Sequence, residues 1–178
     1  MSTTLTMPVT KPPVAAPVVQ RSAYARDEIV KADVLNADDR LWVPHDANVS
    51  FLPLCFGVTQ GYYVTLLRVR RSGVLSRHMH TGSVHGQVLK GAWYYLEHDW
   101  IAREGSFVME PPGETHTLIV PPEVPEMITL FHVTGAYIYY GENGQVTGHE
   151  DVFTRLAKAQ RHYEAAGLPQ SVLEQLIR

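Results

Sequence analysis

Between residues 42 and 140 the chain alternates short runs rich in β-branched and aromatic residues with turn residues at close intervals. Residues 49–54 and 62–69 are two such runs. Ser72-Gly73 turns the chain before a short extended piece over 75–80. Thr81-Gly82-Ser83 separates that piece from 84–89, which Lys90-Gly91 closes. Over 92–99, strand alternation puts Trp93, Tyr95 and Glu97 on one face and Tyr94, Leu96 and His98 on the other. Residues 106–109, 116–120, 127–133 and 136–140 complete the series, divided by Pro111-Pro112-Gly113, Pro121-Pro122 and Thr134-Gly135. Strands this short and this closely punctuated predict an all-β sandwich or barrel without βαβ alternation.

The two ends read differently. Pro8, Pro12, Pro13 and Pro17 exclude a helix or a central strand over 1–22 and predict an extended arm. Over 150–166, Val152, Phe153, Leu156, Ala159 and Tyr163 recur at helical spacing, and Gly167 and Pro169 end the pattern. Ser171 is expected to cap a last helix over 172–178, with Glu174 three positions on. The expected organisation is an arm over 1–22, a barrel over 23–148 and a helical extension over 149–178.

A length of 178 residues fits one domain with extensions, and 45% hydrophobic residues can fill its core. A formal net charge of -3 gives no reason to expect nucleic acid or an anionic membrane as partner. No stretch approaches the roughly 20 apolar residues that span a bilayer, and residues 1–10 lack the pattern of a secretion signal. The single cysteine, Cys55, allows no internal disulfide. A cytoplasmic protein is expected, with Cys55 a buried core thiol inside the apolar run 51–56.

Nine histidines matter only through their positions. His78 and His80 lie two apart on a predicted strand and face the same way. Their Cα atoms are roughly 6.5 Å apart, so both rings can reach one ion. An isolated pair of this kind is as often two surface histidines. A third changes the balance: Gly105 is followed by Pro111, Gly113 and then His116, which a proline turn delivers to the start of a new strand. His116 could complete a three-histidine set. His45, His98, His132, His149 and His162 have no motif around them and read as ordinary surface or hydrogen-bonded residues.

These spacings resemble the two motifs of the cupin superfamily over roughly residues 40–140. His78-x-His80 and Gly91 match the first motif; Gly105, Pro111, Gly113 and His116 match the second, with Val120 where an asparagine is usual. The resemblance implies a conical jelly-roll barrel with the metal inside. The chain departs from the first motif at its glutamate ligand, whose place falls on Val84 or His85. His85 is a possible fourth ligand, and more simply a hydrogen-bonded residue of the pocket. Three neutral ligands leave a divalent ion its full charge, which favours an anionic chelating substrate. Imidazole suits several metals, so ligand type alone does not choose among them.

Within the superfamily the chain is similar to three-histidine dioxygenases that cleave ketones. Its length, the segment Arg77-His78-Met79-His80-Thr81-Gly82 and the C-terminal helical extension resemble the 2,4'-dihydroxyacetophenone dioxygenases. It is also similar to the acetylacetone-cleaving dioxygenases and to the cupin part of zinc anti-sigma factors. The resemblance implies one Fe(II) per chain, with Zn, Ni, Cu or Mn as alternatives. It implies an aromatic α-hydroxyketone and O2 as reactants, and 4-hydroxybenzoate and formate as products. A β-diketone-cleaving enzyme and a non-enzymatic metal-binding sensor are the alternative functions. Glu110 could take the substrate's proton or orient a ligand histidine. Tyr95 could hydrogen-bond the substrate, and Trp93, Phe131 and Tyr137 could stack on its ring. The arm and tail helices suit subunit contacts in a homodimer or homotetramer.

Overall fold

The computed structural model describes Thr10 and residues 20–178; the arm expected over 1–22 lies almost wholly outside the described residues. Twelve strands follow one another: β1 (Val43–Asp46), β2 (Val49–Gly57), β3 (Tyr62–Val69), β4 (Gly73–His80), β5 (Val84–Lys90), β6 (Ala92–Tyr95), β7 (Ala102–Arg103), β8 (Phe107–Glu110), β9 (Thr115–Val120), β10 (Met127–Thr134), β11 (Tyr137–Tyr140) and β12 (Val146–Glu150). They form two six-stranded sheets, ordered β1-β2-β3-β10-β5-β8 and β12-β11-β4-β9-β6-β7. Every pairing within them is antiparallel. Facing sheets of this kind bury alternate residues between them. Along β5, Val84, Gly86 and Val88 point inward while His85 and Gln87 are only half-buried. The core includes Phe51, Phe56, Tyr63, Trp93, Tyr95 and Met127.

Two local departures from simple alternation have visible causes. Pro53 has no N–H to give a ladder, and the β2–β3 register shifts between Pro53 and Cys55. The shift turns Cys55 out of the core: it is half-buried, with Sγ 3.7 Å from the Tyr62 hydroxyl, rather than the buried thiol expected. On β6 the strand ends at Tyr95. Trp93 and Tyr95 share a face as expected, and that face is the inner one, but the chain turns before Glu97. Glu97 instead accepts hydrogen bonds from the Thr117 N–H (2.7 Å) and hydroxyl (2.9 Å).

The tail closes one side of the sandwich. Helix α1 (Val152–Ala165) starts with a capping box in which Asp151 and Thr154 each accept from the other's backbone N–H at 2.8 Å. It buries Val152, Arg155, Ala159 and Tyr163. A short helix α2 (Ser171–Glu174) begins at Ser171 with no side-chain cap, so Ser171 is not the cap the sequence suggests. It ends at Glu174 because the chain then extends: Ile177 pairs in parallel with Phe56, and the Arg178 N–H donates to the Phe56 carbonyl at 2.8 Å. Among the described residues, no helix is long and apolar enough to cross a membrane.

Candidate metal centre

Strand alternation places His78 and His80 on the inner face of β4, 4% and 1% exposed, with Met79 between them on the other face. Strand β9 pairs with β4 so that His116 lies directly opposite His78. The turn before β9 is tied to the site: Gly113, at φ 98°, donates its N–H to the His80 carbonyl at 2.9 Å. That backbone angle is natural for glycine and strained for other residues. The three imidazoles therefore meet, with their ligand nitrogens all within 4.8 Å of one another.

The donor set fits a metal ion. The Nε2 atoms of His80 and His116 are 2.8 Å apart. Two nitrogens at right angles around an ion 2.0–2.1 Å away sit about 3 Å apart. The His78 Nδ1 contacts the Ser76 hydroxyl at 3.1 Å, which leaves its Nε2 for the ion. Burial, reinforced by the neighbouring histidines, holds the His78 ring well below its ordinary pKa. Burial likewise pulls His116 down to about 4. Both rings are neutral near pH 7 and offer lone pairs rather than protons.

A carboxylate joins this group from a neighbouring strand. Glu110, 4% exposed, ends β8 and is the cross-strand partner of Val84. Its Oε2 is 2.7 Å from His80 Nε2 and 3.7 Å from His116 Nε2, and it accepts a hydrogen bond from the Tyr95 hydroxyl at 2.7 Å. Its Oε1 has no protein partner. The Tyr95 ring stacks on His116, centroids 3.6 Å apart and planes 8° from parallel. Burial, then the adjacent Glu110 charge, holds the Tyr95 hydroxyl well above its ordinary pKa, so it stays a donor. The structure thus brings His78, His80, His116, Glu110 and Tyr95 into one cluster.

Beside the cluster lies a cavity of about 60 Å³, walled by His78, Tyr95, Phe131, Tyr137, Tyr139 and Arg155 among others.

A family model, the ChrR cupin-like domain, matches residues 30–138. The chain belongs to this cupin family. No curated protein matches it. Among solved structures, an RmlC-like cupin protein from Ralstonia eutropha is similar at 29% identity and a TM-score of 0.69, covering 72% of this chain and 84% of that one. A cupin-like protein of unknown function from the same organism is similar at 21% identity and 0.67, over 78% and 90% of the two chains. An acetylacetone dioxygenase from Acinetobacter johnsonii is similar at 18% identity and 0.64, over 84% and 99%.

The remaining residues of interest in this cupin fall inside and outside the site. His85 points to the outer face, between the rings of Phe107 and His132, and belongs to no ligand group among the described residues. Strand alternation decides this, because Val84 takes the inward position. Trp93 is core, packed on Tyr95, Trp100 and Phe131. His98, which reads in the sequence as an ordinary residue, sits near His116 with Nε2 3.2 Å from Glu114. Sequence reasoning missed Ser76, Tyr139 and Arg155. Only Arg155 carried a signal: it lies on the stripe Val152, Arg155, Ala159, Tyr163, a charge where an apolar residue is the norm.

Proposed function

We propose that this cupin is a metal-dependent dioxygenase that cleaves a carbon–carbon bond of a ketone able to chelate the metal through two oxygens. The observation that carries the reading is the buried triad of imidazoles beside one hydrogen-bonded carboxylate. A divalent ion held by His78, His80 and His116 supplies Lewis acidity and a template for substrate and O2. We assign Fe(II) to it.

Glu110 is placed to take the proton that an α-hydroxyketone or β-diketone loses on chelation. The Tyr95 hydroxyl holds the receiving oxygen at 2.7 Å and fixes its direction. The aromatic walls keep bulk water away from the reacting atoms.

For the substrate, the sequence resemblance favours 2,4'-dihydroxyacetophenone, cleaved with O2 to 4-hydroxybenzoate and formate. One observation favours the smaller β-diketones. A cavity of about 60 Å³ is well under the ~150 Å³ cavity known to take benzene. Either substrate needs the cavity to open, and a small flexible aliphatic chain needs less opening than a rigid aromatic ring. The acetylacetone dioxygenase from Acinetobacter johnsonii has the same fold. Exposed Phe107 and Met109 on the sheet-edge strand β8 support the expected homo-oligomer.

The test is an oxygen-electrode comparison of the two substrates on Fe(II)-loaded protein, with products identified by mass. Uptake with either, and cleavage to two carbonyl or acid fragments, supports the proposal. Tight metal binding with no uptake on either moves the assignment to a metal-binding sensor.

A further inference from the structure

Arg155 is a charge in an unusual place. It lies on α1, is 4% exposed, and forms part of the wall of the cavity that also touches His78. Its guanidinium lies over the Phe51 ring, 4.4 Å from the centroid, which fixes it in position. One nitrogen, Nη2, pairs with Glu150 Oε2 at 2.7 Å. The other two, Nε and Nη1, have no protein partner. A guanidinium has five N–H donors in a fixed fork, and buried donors are almost always satisfied.

The charges around it leave a surplus. Glu150 contacts the Lys158 ammonium as well as Arg155, so two cations share one carboxylate. The Tyr139 hydroxyl also donates to Glu150, at 2.8 Å. His45, 3.6 Å from Glu150, adds no charge near neutral pH: burial, then Arg155, pulls it down to about 4. Asp46 also lines the cavity, but its carboxylate is exposed and lies 3.3 Å from Arg71. Arg155 lines the cavity, and its surplus charge and two unpartnered nitrogens lie in the wall behind that lining.

We infer that Arg155 binds a carboxylate at the end of the substrate remote from the metal, so that a short ketone acid is preferred over a neutral ketone with the same chelating head. The inference rests on the chelating-ketone reading of the metal centre and adds the second anchor. A carboxylate on the guanidinium edge that Glu150 does not take would pair with Nη2 and one of the two free nitrogens, and would fix the direction in which the ketone enters. The surplus charge would be neutralised on binding.

The experiment is calorimetric titration of the full chain, loaded with Zn(II) so that no turnover intervenes, with two probes sharing one β-diketone head. One is heptane-2,4-dione and the other is 4,6-dioxoheptanoate, which carries a carboxylate at its end. The acid is expected to bind tighter by about tenfold or more, the usual worth of a charged hydrogen-bonded pair. In Arg155→Met, made together with Glu150→Gln so that no carboxylate is stranded, the ratio should fall to near unity. Arg155→Lys keeps the charge without the fork and should give an intermediate ratio. Equal binding of both probes to the unmutated chain overturns the role of Arg155 and leaves the chelating-ketone reading standing. No binding of either overturns both. Tight binding of the acid that survives loss of Arg155 also overturns the inference.

Discussion

Val84 and Glu110 are cross-strand partners on β5 and β8, and the carboxylate of Glu110 reaches the three-histidine group. In the cupin pattern the acidic ligand comes from the position of Val84 or His85. Here Val84 is fully buried packing, and the carboxylate nearest the histidines is Glu110 on the next strand of the same sheet. A carboxylate oxygen 2.7 Å from His80 Nε2, on the side where an ion would sit, would add negative charge beside that ion. Replacing Glu110 by Gln keeps the shape and removes the charge. Metal affinity, measured by competition with a chelator, should fall by about 10- to 100-fold.

His116→Ala should abolish stoichiometric metal binding and leave the barrel folded. The side chain is one member of a large core, although the Tyr95 ring loses the partner it stacks on at 3.6 Å. That loss costs about 1 kcal/mol beyond the cavity itself. Elemental analysis and thermal melting check the two halves separately. Collapse of the fold would mean that the metal is structural.

Tyr95→Phe separates stacking from hydrogen bonding. The ring remains on His116, but Glu110 Oε2 loses its 2.7 Å donor. Metal content should hold, and oxygen uptake with the ketone should fall by roughly tenfold. Equal loss of metal and rate would place Tyr95 in metal retention instead.

The metal-free chain should lose stability as pH falls from about 6.5 to about 4. Burial pulls His45 and His116 down to about 4 and His78 well below its ordinary value. Across that window the unfolded chain binds protons that the folded chain refuses, so the unfolded state gains. Above pH 6.5 both states are neutral at these rings and the contribution is complete. Urea titrations at stepped pH measure the slope, and His45→Gln should flatten it without touching the metal group.

Much of this arrangement is legible in the sequence. Two-residue alternation puts His78 and His80 on one face, the turn through Gly113 starts the strand that carries His116, and the motif spacing supplies the third histidine, although its place opposite His78 is set by β4–β9 register. Glu110 was visible as an acid before a turn, but its meeting with His80 depends on β5–β8 register, which spacing does not encode. Alternation puts Trp93 and Tyr95 on one face, and the same rule fails for Glu97 because the chain leaves the strand after Tyr95. The two-residue β7 and the half-exposed β12 offer too little apolar pattern to announce a strand. Arg155 hid on a helix whose apolar stripe explained its neighbours. Only the sheet-to-helix packing reveals what that charge borders.

The central claim is that His78, His80 and His116 hold a redox-active metal that works on a chelating ketone. One sample tests it most directly: protein grown with iron, purified without oxygen, analysed for metal, then given the ketone while oxygen consumption is followed. About one iron per chain, with one O2 consumed for each ketone cleaved, is the predicted result. Stoichiometric zinc that iron does not replace, with no oxygen consumed on either the hydroxyketone or the diketone, would contradict it.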